Sequence, residues 1–388
     1  METLGLLFDG FLIAIQPLNI TVVIIGVIVG LFIGAMPGLG SVNGVAILLP
    51  MTFLVPPTSA IIFLAALYYG AMYGGAISSI MLGIPGASTA VATTFDGRPL
   101  ALKGLADKAL ITAAIASFIG GTISIILFTA FAPPLAHIAL DFGDYEIFAL
   151  MLLAFATFVG LSGDDIPKTI FSICIGLVFS AVGLDIMSGE PRLVFFDIIG
   201  FMHGINFLVL AIGIYGIGEM MWTIETNRGD SAMSKAVLSL SGFLSSLRDM
   251  GRTWFAWMTG SLLGFFVGIL PAAGATPGSL MAYGVAKMTS KESDNFGKGE
   301  VAGVVAPESA NNAASTGALL PMLTLGIPGS PTTAILLGGM VIWGLVPGPL
   351  LFVEEKEFVW GLIASLYVAN LFSLLINIAF IPLFLWVL

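Results

Sequence analysis

Apolar residues fall in long blocks along this chain, not in short alternating strands. Runs of roughly 18 to 25 residues, long enough to cross a hydrocarbon layer of about 30 Å as helices, recur from end to end. The clearest are 20–36, 58–82, 109–132, 145–161, 166–183, 201–222, 254–270 and 358–388. The pattern predicts an all-α polytopic membrane protein and excludes a barrel of short alternating strands. Residues 1–17 lack the basic start and small-residue cleavage site of a signal peptide, so they are read as a retained interfacial segment.

The blocks are broken in a repeated way. "LGIPG" occurs at Leu82 to Gly86 and again at Leu325 to Gly329, an offset of 243. Gly26, Gly30, Gly34, Pro37 and Gly40 match Gly260, Gly264, Gly268, Pro271 and Gly274 at a constant offset of 234. "FAPPL" from Phe131 answers "FIPLF" from Phe380 at 249. Three matches in one order, with slowly drifting offsets, indicate a duplication: a first repeat over 18–222, a linker over 223–253 and a second repeat over 254–388. The second copy stops after the FAPPL counterpart, so it is C-terminally incomplete relative to the first.

Composition agrees, with 58% hydrophobic and 9% charged residues and a mean hydropathy of +1.06. So little polar surface cannot coat a soluble globule. The net charge of −10 argues against a nucleic-acid partner. More telling is the placement of the 13 basic residues, ten of which lie in three loops: Arg98, Lys103, Lys108; Arg228, Lys235, Arg248, Arg252; and Lys287, Lys291, Lys298. The positive-inside rule puts those loops in the cytoplasm. The loop after the first LGIPG is basic while its counterpart, 339–351, carries no Lys or Arg; the reverse holds for the turn near Val55 and its counterpart near Lys291. Equivalent loops therefore face opposite sides, as in the inverted-topology repeats of secondary transporters, whose broken helices or re-entrant hairpins meet at mid-membrane.

A break in the membrane is tolerated only where protein or a wet cavity satisfies the freed backbone groups. In "GAMPGLGSVNG", "LGIPGAST", "GILPAAGATPG" and "LGIPGSPTT", proline stops the helix, glycine permits the turn, and Ser or Thr can cap a new half-helix. The N-terminus of that half-helix favours an anion. The substrate-binding candidates are Gly38, Gly40, Ser41 and Asn43, then Pro85, Gly86, Ser88 and Thr89, then Pro328, Gly329, Ser330, Thr332 and Thr333. Ser78 and Ser79, on the helix leading to the first break, join them, as do Asn311 and Asn312, one turn beyond Glu308. Glu308, an acid entering an apolar region, is the ion-coupling candidate. The glycine ladders are expected to permit close helix approach, and Tyr68, Tyr69 and Tyr73 read as interfacial or core aromatics.

Competing chemistry is thin. The single Cys174 and the two histidines, His137 and His203, give neither a disulfide nor an HExxH zinc pair, and no phosphate loop is present, so no metal or other cofactor is expected. "GLSG" at Gly160 to Gly163 fits the GxSG pattern of intramembrane serine proteases, with Ser162 as nucleophile, but nothing supports it elsewhere. A passive anion channel is the other alternative, since broken helices also line pores.

Long stretches of the chain resemble the large membrane subunit of the tripartite tricarboxylate transporters, the TctA family. They are "GLFIGAMPGLGSVNGVAILLP" (30–50), "YYGAMYGGAISSIMLGIPGAST" (68–89), "TFDGRPLALKG" (94–104), "PESANNAASTGALLPMLTLGIPGSPTTAILLGGM" (307–340) and "GLVPGPLLF" (344–352). The resemblance implies Na⁺- or H⁺-coupled uptake of citrate-like di- or tricarboxylates through the bacterial inner membrane. It also implies two protein partners, a small membrane subunit and an extracytoplasmic solute-binding protein. Members of that family usually run past this length.

Overall fold

A computed structural model describes residues 2–141, 143–160, 166–184, 191–194 and 240–387 apart from 272, with isolated positions between 201 and 225. The predicted span 201–222, Ser162 and His203 lie largely or wholly outside the described residues. The architecture is all-α. The first half comprises α1 (Glu2–Ala14), α2 (Pro17–Ala35), α3 (Gly40–Leu48), α4 (Pro57–Met81), α5 (Val91–Leu102), α6 (Ala106–Leu140), α7 (Asp144–Gly160) and α8 (Ile166–Ser180). The second comprises α9 (Leu240–Arg252), α10 (Trp254–Ile269), α11 (Ala275–Thr289), α12 (Ala302–Leu325), α13 (Pro331–Ile342), the short α14 (Leu351–Glu354) and α15 (Lys356–Val387). Four segments, Pro17–Ala35, Pro57–Met81, Ala106–Leu140 and Lys356–Phe384, are long and apolar enough to cross a membrane.

The packing repeats between the halves. Helix α2 lies along α4 as α10 lies along α12; α6 packs on α12 as α15 packs on α4; α3 meets α13 as α11 meets α5. Even the outer helices obey this exchange, with α1 resting on α15 and α9 on α6. Residues 240–252, assigned to the linker on sequence grounds, are therefore a packed helix. Likewise α1 is more than an interfacial segment: a Cβ on Gly10 would come within 2.2 Å of the Trp360 carbonyl oxygen on α15.

Close approach of backbones sets these contacts. A Cβ added at Gly30 or Gly34 would fall 2.2 Å from the carbonyl oxygens of Leu67 and Ala71, respectively. The second ladder does the same, with Gly264 and Gly268 at 2.2 and 2.4 Å from the Ala310 and Ala314 oxygens. Without a hydrophobic drive between helices in lipid, such tight small-residue packing carries the association.

The repeated pentapeptide follows from the same geometry. Its first glycine is left-handed in both copies, Gly83 at φ +73° and Gly326 at φ +70°, ending α4 and α12 as only glycine does cheaply. Proline then prevents the helix resuming. The last glycine presses on the end of the ladder: Cβ atoms on Gly86 and Gly329 would lie 1.9 and 2.5 Å from the Gly34 and Gly268 oxygens.

Helix α12 is the element that hydropathy passes over. It is buried along nearly its whole length, yet Glu308, Asn311, Asn312, Ser315 and Thr316 lie on it at i, i+3, i+4, i+7 and i+8. That spacing gathers them on one face, and all five are buried without exposed surface. By contrast α7 and α8 pack on each other and turn Phe148, Leu152, Ile170 and Phe171 outward, as lipid-facing helices do.

Candidate functional site

The breaks of both halves converge on one cavity of about 360 Å³. Its wall includes Gly38 to Asn43 ahead of and within the first turn of α3, and Ala87 to Thr89 after the first pentapeptide. From the second half come Ala273 to Thr276 at the start of α11 and Ser330 to Thr332 at the start of α13. Tyr68 and Met72 of α4 complete it. Residues Ser88–Ala90 form a 3-10 turn that runs directly into α5. Four helical starts therefore face one space.

Helix N-termini carry unpaired N–H groups and partial positive charge. Side-chain caps would quench that capacity, but α3, the Ser88–Ala90 turn and α11 have none. Helix α13 differs: Ser330 accepts the Thr333 N–H while Thr333 reciprocates to the Ser330 N–H, a capping box. The sequence predicts Ser or Thr caps after both pentapeptides. The first copy departs from that because Ala87, not Ser88, occupies the cap position, which leaves the Ser88 hydroxyl for other partners.

Hydroxyls pair across the halves. Ser41 of α3 lies 2.9 Å from Thr332 of α13, and Thr276 of α11 donates to Ser88 at 3.1 Å. With the repeat offsets, these two pairs are near-counterparts of one another. Ser279 adds a bond to the Thr89 carbonyl at 2.9 Å, and the Tyr68 hydroxyl reaches Ser330 at 3.4 Å. Among the described lining residues there is no Lys, Arg, His, Asp or Glu. What the site offers an anion is backbone N–H, hydroxyl and helix dipole.

Of the residues that the sequence points to, Gly38, Gly40, Ser41, Asn43, Ser88, Thr89, Ser330 and Thr332 line this cavity. The others stand behind it. Gly86 and Gly329 bear on the ladders, next to Pro85 and Pro328. Ser79 donates to the Gly75 and Ala90 carbonyls at 2.8 and 3.1 Å, fastening the returning chain to α4, and Ser78 lies beside Gly86. Thr333 is spent on the cap. Asn311 and Asn312 lie deeper, beside Glu308. Thr276 and Tyr68 line the wall without being among the sequence candidates. The repeat does hint at Thr276, since Ser41 maps to Ala275 at the 234 offset.

Glu308 is buried where α12, α5 and α6 meet. One carboxyl oxygen accepts from Thr93 at 2.5 Å and the other from Ser117 at 3.0 Å. Among the described residues its side-chain partners are these hydroxyls, with no basic group against the carboxyl. Helix α5 thus joins the two places: Ser88 and Thr89, just ahead of it, line the cavity, and Thr93, within its first turn, holds Glu308.

A second buried acid, absent from the site candidates that the sequence offers, sits one turn further along α5. Asp96 accepts three backbone N–H groups on one oxygen, from Gly297, Gly299 and Glu300 at 2.9, 2.7 and 2.7 Å, and the Tyr283 hydroxyl on the other at 2.9 Å. Gly297 and Gly299 are left-handed at φ +81° and +99°, folding the turn into an anion nest. Nearby, Lys103 donates to the Lys298 carbonyl at 2.6 Å. Helix α5 belongs to the first half by sequence but is fastened to the second by its side chains.

Comparison with known proteins gives a consistent picture. The model of the family described as "Tripartite tricarboxylate transporter TctA family" matches residues 20–388. A 52.8 kDa Agrobacterium vitis protein, described by its place in the TAR-I ttuC' 3' region, is 37% identical over 387 residues, all of this chain and 76% of that protein. A second from the same organism, in the TAR-II ttuC' 3' region, is 40% identical over 124 residues, 32% of this chain and half of that protein. No solved structure gives a significant match.

Proposed function

Because the chain belongs to the tripartite tricarboxylate transporter TctA family, we propose that it is the large membrane subunit of an ion-coupled importer of citrate-like di- or tricarboxylates. Its substrate is delivered by an extracytoplasmic solute-binding protein, and a small membrane subunit completes the complex in the bacterial inner membrane. The observation that carries this reading is the convergence of four helical starts on one uncharged cavity. A volume of about 360 Å³ is at the lower end of small-molecule pockets. Two hydroxyl pairs from opposite breaks suit a ligand with carboxylates at both ends.

Glu308 is the residue on which coupling rests. A fully buried carboxylate facing only hydroxyls is costly as an anion in the membrane, so it holds a proton or a cation when the site is loaded. Thr93 carries its state to α5, and α5 carries it to Ser88 and Thr89. The test is uptake of labelled citrate into proteoliposomes holding the complete complex, with Na⁺ and proton gradients imposed separately. Gradient-driven accumulation is expected, with Glu308→Gln losing accumulation while still assembling with the small subunit. Equilibration without accumulation in the wild type would instead make the protein a channel.

A further inference from the structure

Among the described residues, two buried side-chain oxygens on α12, three and four positions beyond Glu308, have no partner. The side-chain oxygens of Asn311 and Asn312 are sealed from solvent and accept no hydrogen bond. Their orientation is fixed by the other end of each amide. Asn312 donates its NH₂ to the Glu308 carbonyl at 3.1 Å and Asn311 to the Met72 carbonyl at 3.4 Å. A carbonyl only accepts, so neither amide can turn round to bring its oxygen there. Both residues share a helix face with Glu308, where side chains three and four positions apart are neighbours.

We propose that Glu308, Asn311 and Asn312 of α12, with the Thr93 and Ser117 hydroxyls, form a dehydrated Na⁺ site. The proposal rests on the reading of Glu308 as the coupling residue and names the ion. A proton on Glu308 supplies one O–H donor and so satisfies at most one amide oxygen, leaving the other orphaned, whereas a hard cation takes carboxylate, hydroxyl and amide oxygens together. A single acid among neutral oxygens matches a monovalent ion; a divalent one draws on more carboxylates and on 6 to 8 oxygens for Ca²⁺. The hydroxyls of Thr93 and Ser117 hold the carboxylate when the ion is absent and offer it their own lone pairs when it arrives. The site also places a positive charge against the first turn of α5, just beyond a cavity that has no basic side chain.

Thermal unfolding of the purified protein, without carboxylate, tests this directly in NaCl, KCl and choline chloride at equal ionic strength and fixed pH. The expected result is a saturable rise in melting temperature with Na⁺ alone. Glu308→Gln and Asn312→Ala should abolish it, and the milder Ser117→Ala should raise the half-saturating Na⁺ concentration roughly tenfold. Ser41→Ala, in the cavity wall, should leave the Na⁺ response intact. Identical wild-type melting in Na⁺ and choline, an equal response to K⁺, or a full response in Asn312→Ala would overturn the Na⁺ site. The two readings fail separately. Glu308-dependent accumulation driven by a proton gradient in Na⁺-free medium would retain Glu308 as the coupling residue and remove the Na⁺ assignment. A Na⁺-specific shift without Na⁺-dependent accumulation would retain the site and remove its coupling role.

Discussion

If the two hydroxyl pairs grip opposite ends of one substrate, removing a hydroxyl from each pair should have separable costs. Ser41→Ala takes one member from the Ser41 and Thr332 pair, 2.9 Å apart; Ser88→Ala takes one from the Thr276 and Ser88 pair, 3.1 Å apart. A hydrogen bond to a charged oxygen contributes about 1.5 to 3 kcal/mol. Each substitution should therefore weaken carboxylate binding roughly tenfold to 150-fold. The pairs share no hydrogen-bond partner, so the double variant Ser41→Ala/Ser88→Ala should lose the sum of the two within about 0.5 kcal/mol. Ser41→Ala combined with Thr332→Val removes both members of one pair, and its loss should fall short of additive by about 0.5 kcal/mol or more. Isothermal titration of the purified wild type, the single variants Ser41→Ala, Ser88→Ala and Thr332→Val, and the two double variants with citrate, and with succinate as a two-ended probe, closes both cycles. Folded single variants that bind within twofold of wild type would refute the clamp. Strong coupling between Ser41 and Ser88 would refute its two-ended form.

Other consequences can be checked independently. Asp96→Asn keeps the shape but turns charge-assisted bonds into neutral ones, so it should cost about 2 to 4 kcal/mol of stability, more than Tyr283→Phe, in thermal melts; wild-type melting would dismiss the nest. Gly268→Ala sets a methyl against the Ala314 carbonyl and should cost about 1 to 3 kcal/mol. Gly5→Ala, with nothing within 4 Å of the new carbon, should be neutral or mildly stabilising in the same melts. Cysteines placed at 98–108, 223–253 and 287–298 in a Cys174-free background should resist impermeant thiol reagents in intact cells. Efficient labelling at all three would reverse the orientation.

Local backbone chemistry is legible in the residues themselves. Glycine and proline state what the main chain must do, so the ladders at Gly26 to Gly34 and Gly260 to Gly268 and both pentapeptide breaks are readable from spacing alone. Pairings between the halves are not. Ser41 and Thr332 stand 291 residues apart, and hydropathy carries no information about which half-helix meets which. Helix α12 does not register as a span because its polar face, Glu308 to Thr316, lowers its apolar content. Sequence proximity to Glu308 points Asn311 and Asn312 toward substrate, whereas the fold keeps them with Glu308, apart from the cavity wall. Asp96 reads as one more acid in a basic loop. The one hint is the Gly-x-Gly of "FGKGE", which makes a nest only when a distant carboxylate is folded into it.

The exchange of outer helices has a consequence for how the chain is made. Helix α9 emerges after its partner α6 is already present, so it can dock at once. Helix α1 must wait for α15, almost the whole chain later, which at about 5 to 20 residues per second is tens of seconds. Two elements related by symmetry in space are thus unrelated in time. During that interval the Gly10 face of α1 lacks the Trp360 backbone it is shaped to lie on. Expressing residues 1–222 and 240–388 as separate polypeptides should strand α1 in the first and α9 in the second. Each fragment would then be stable only when made alongside the other.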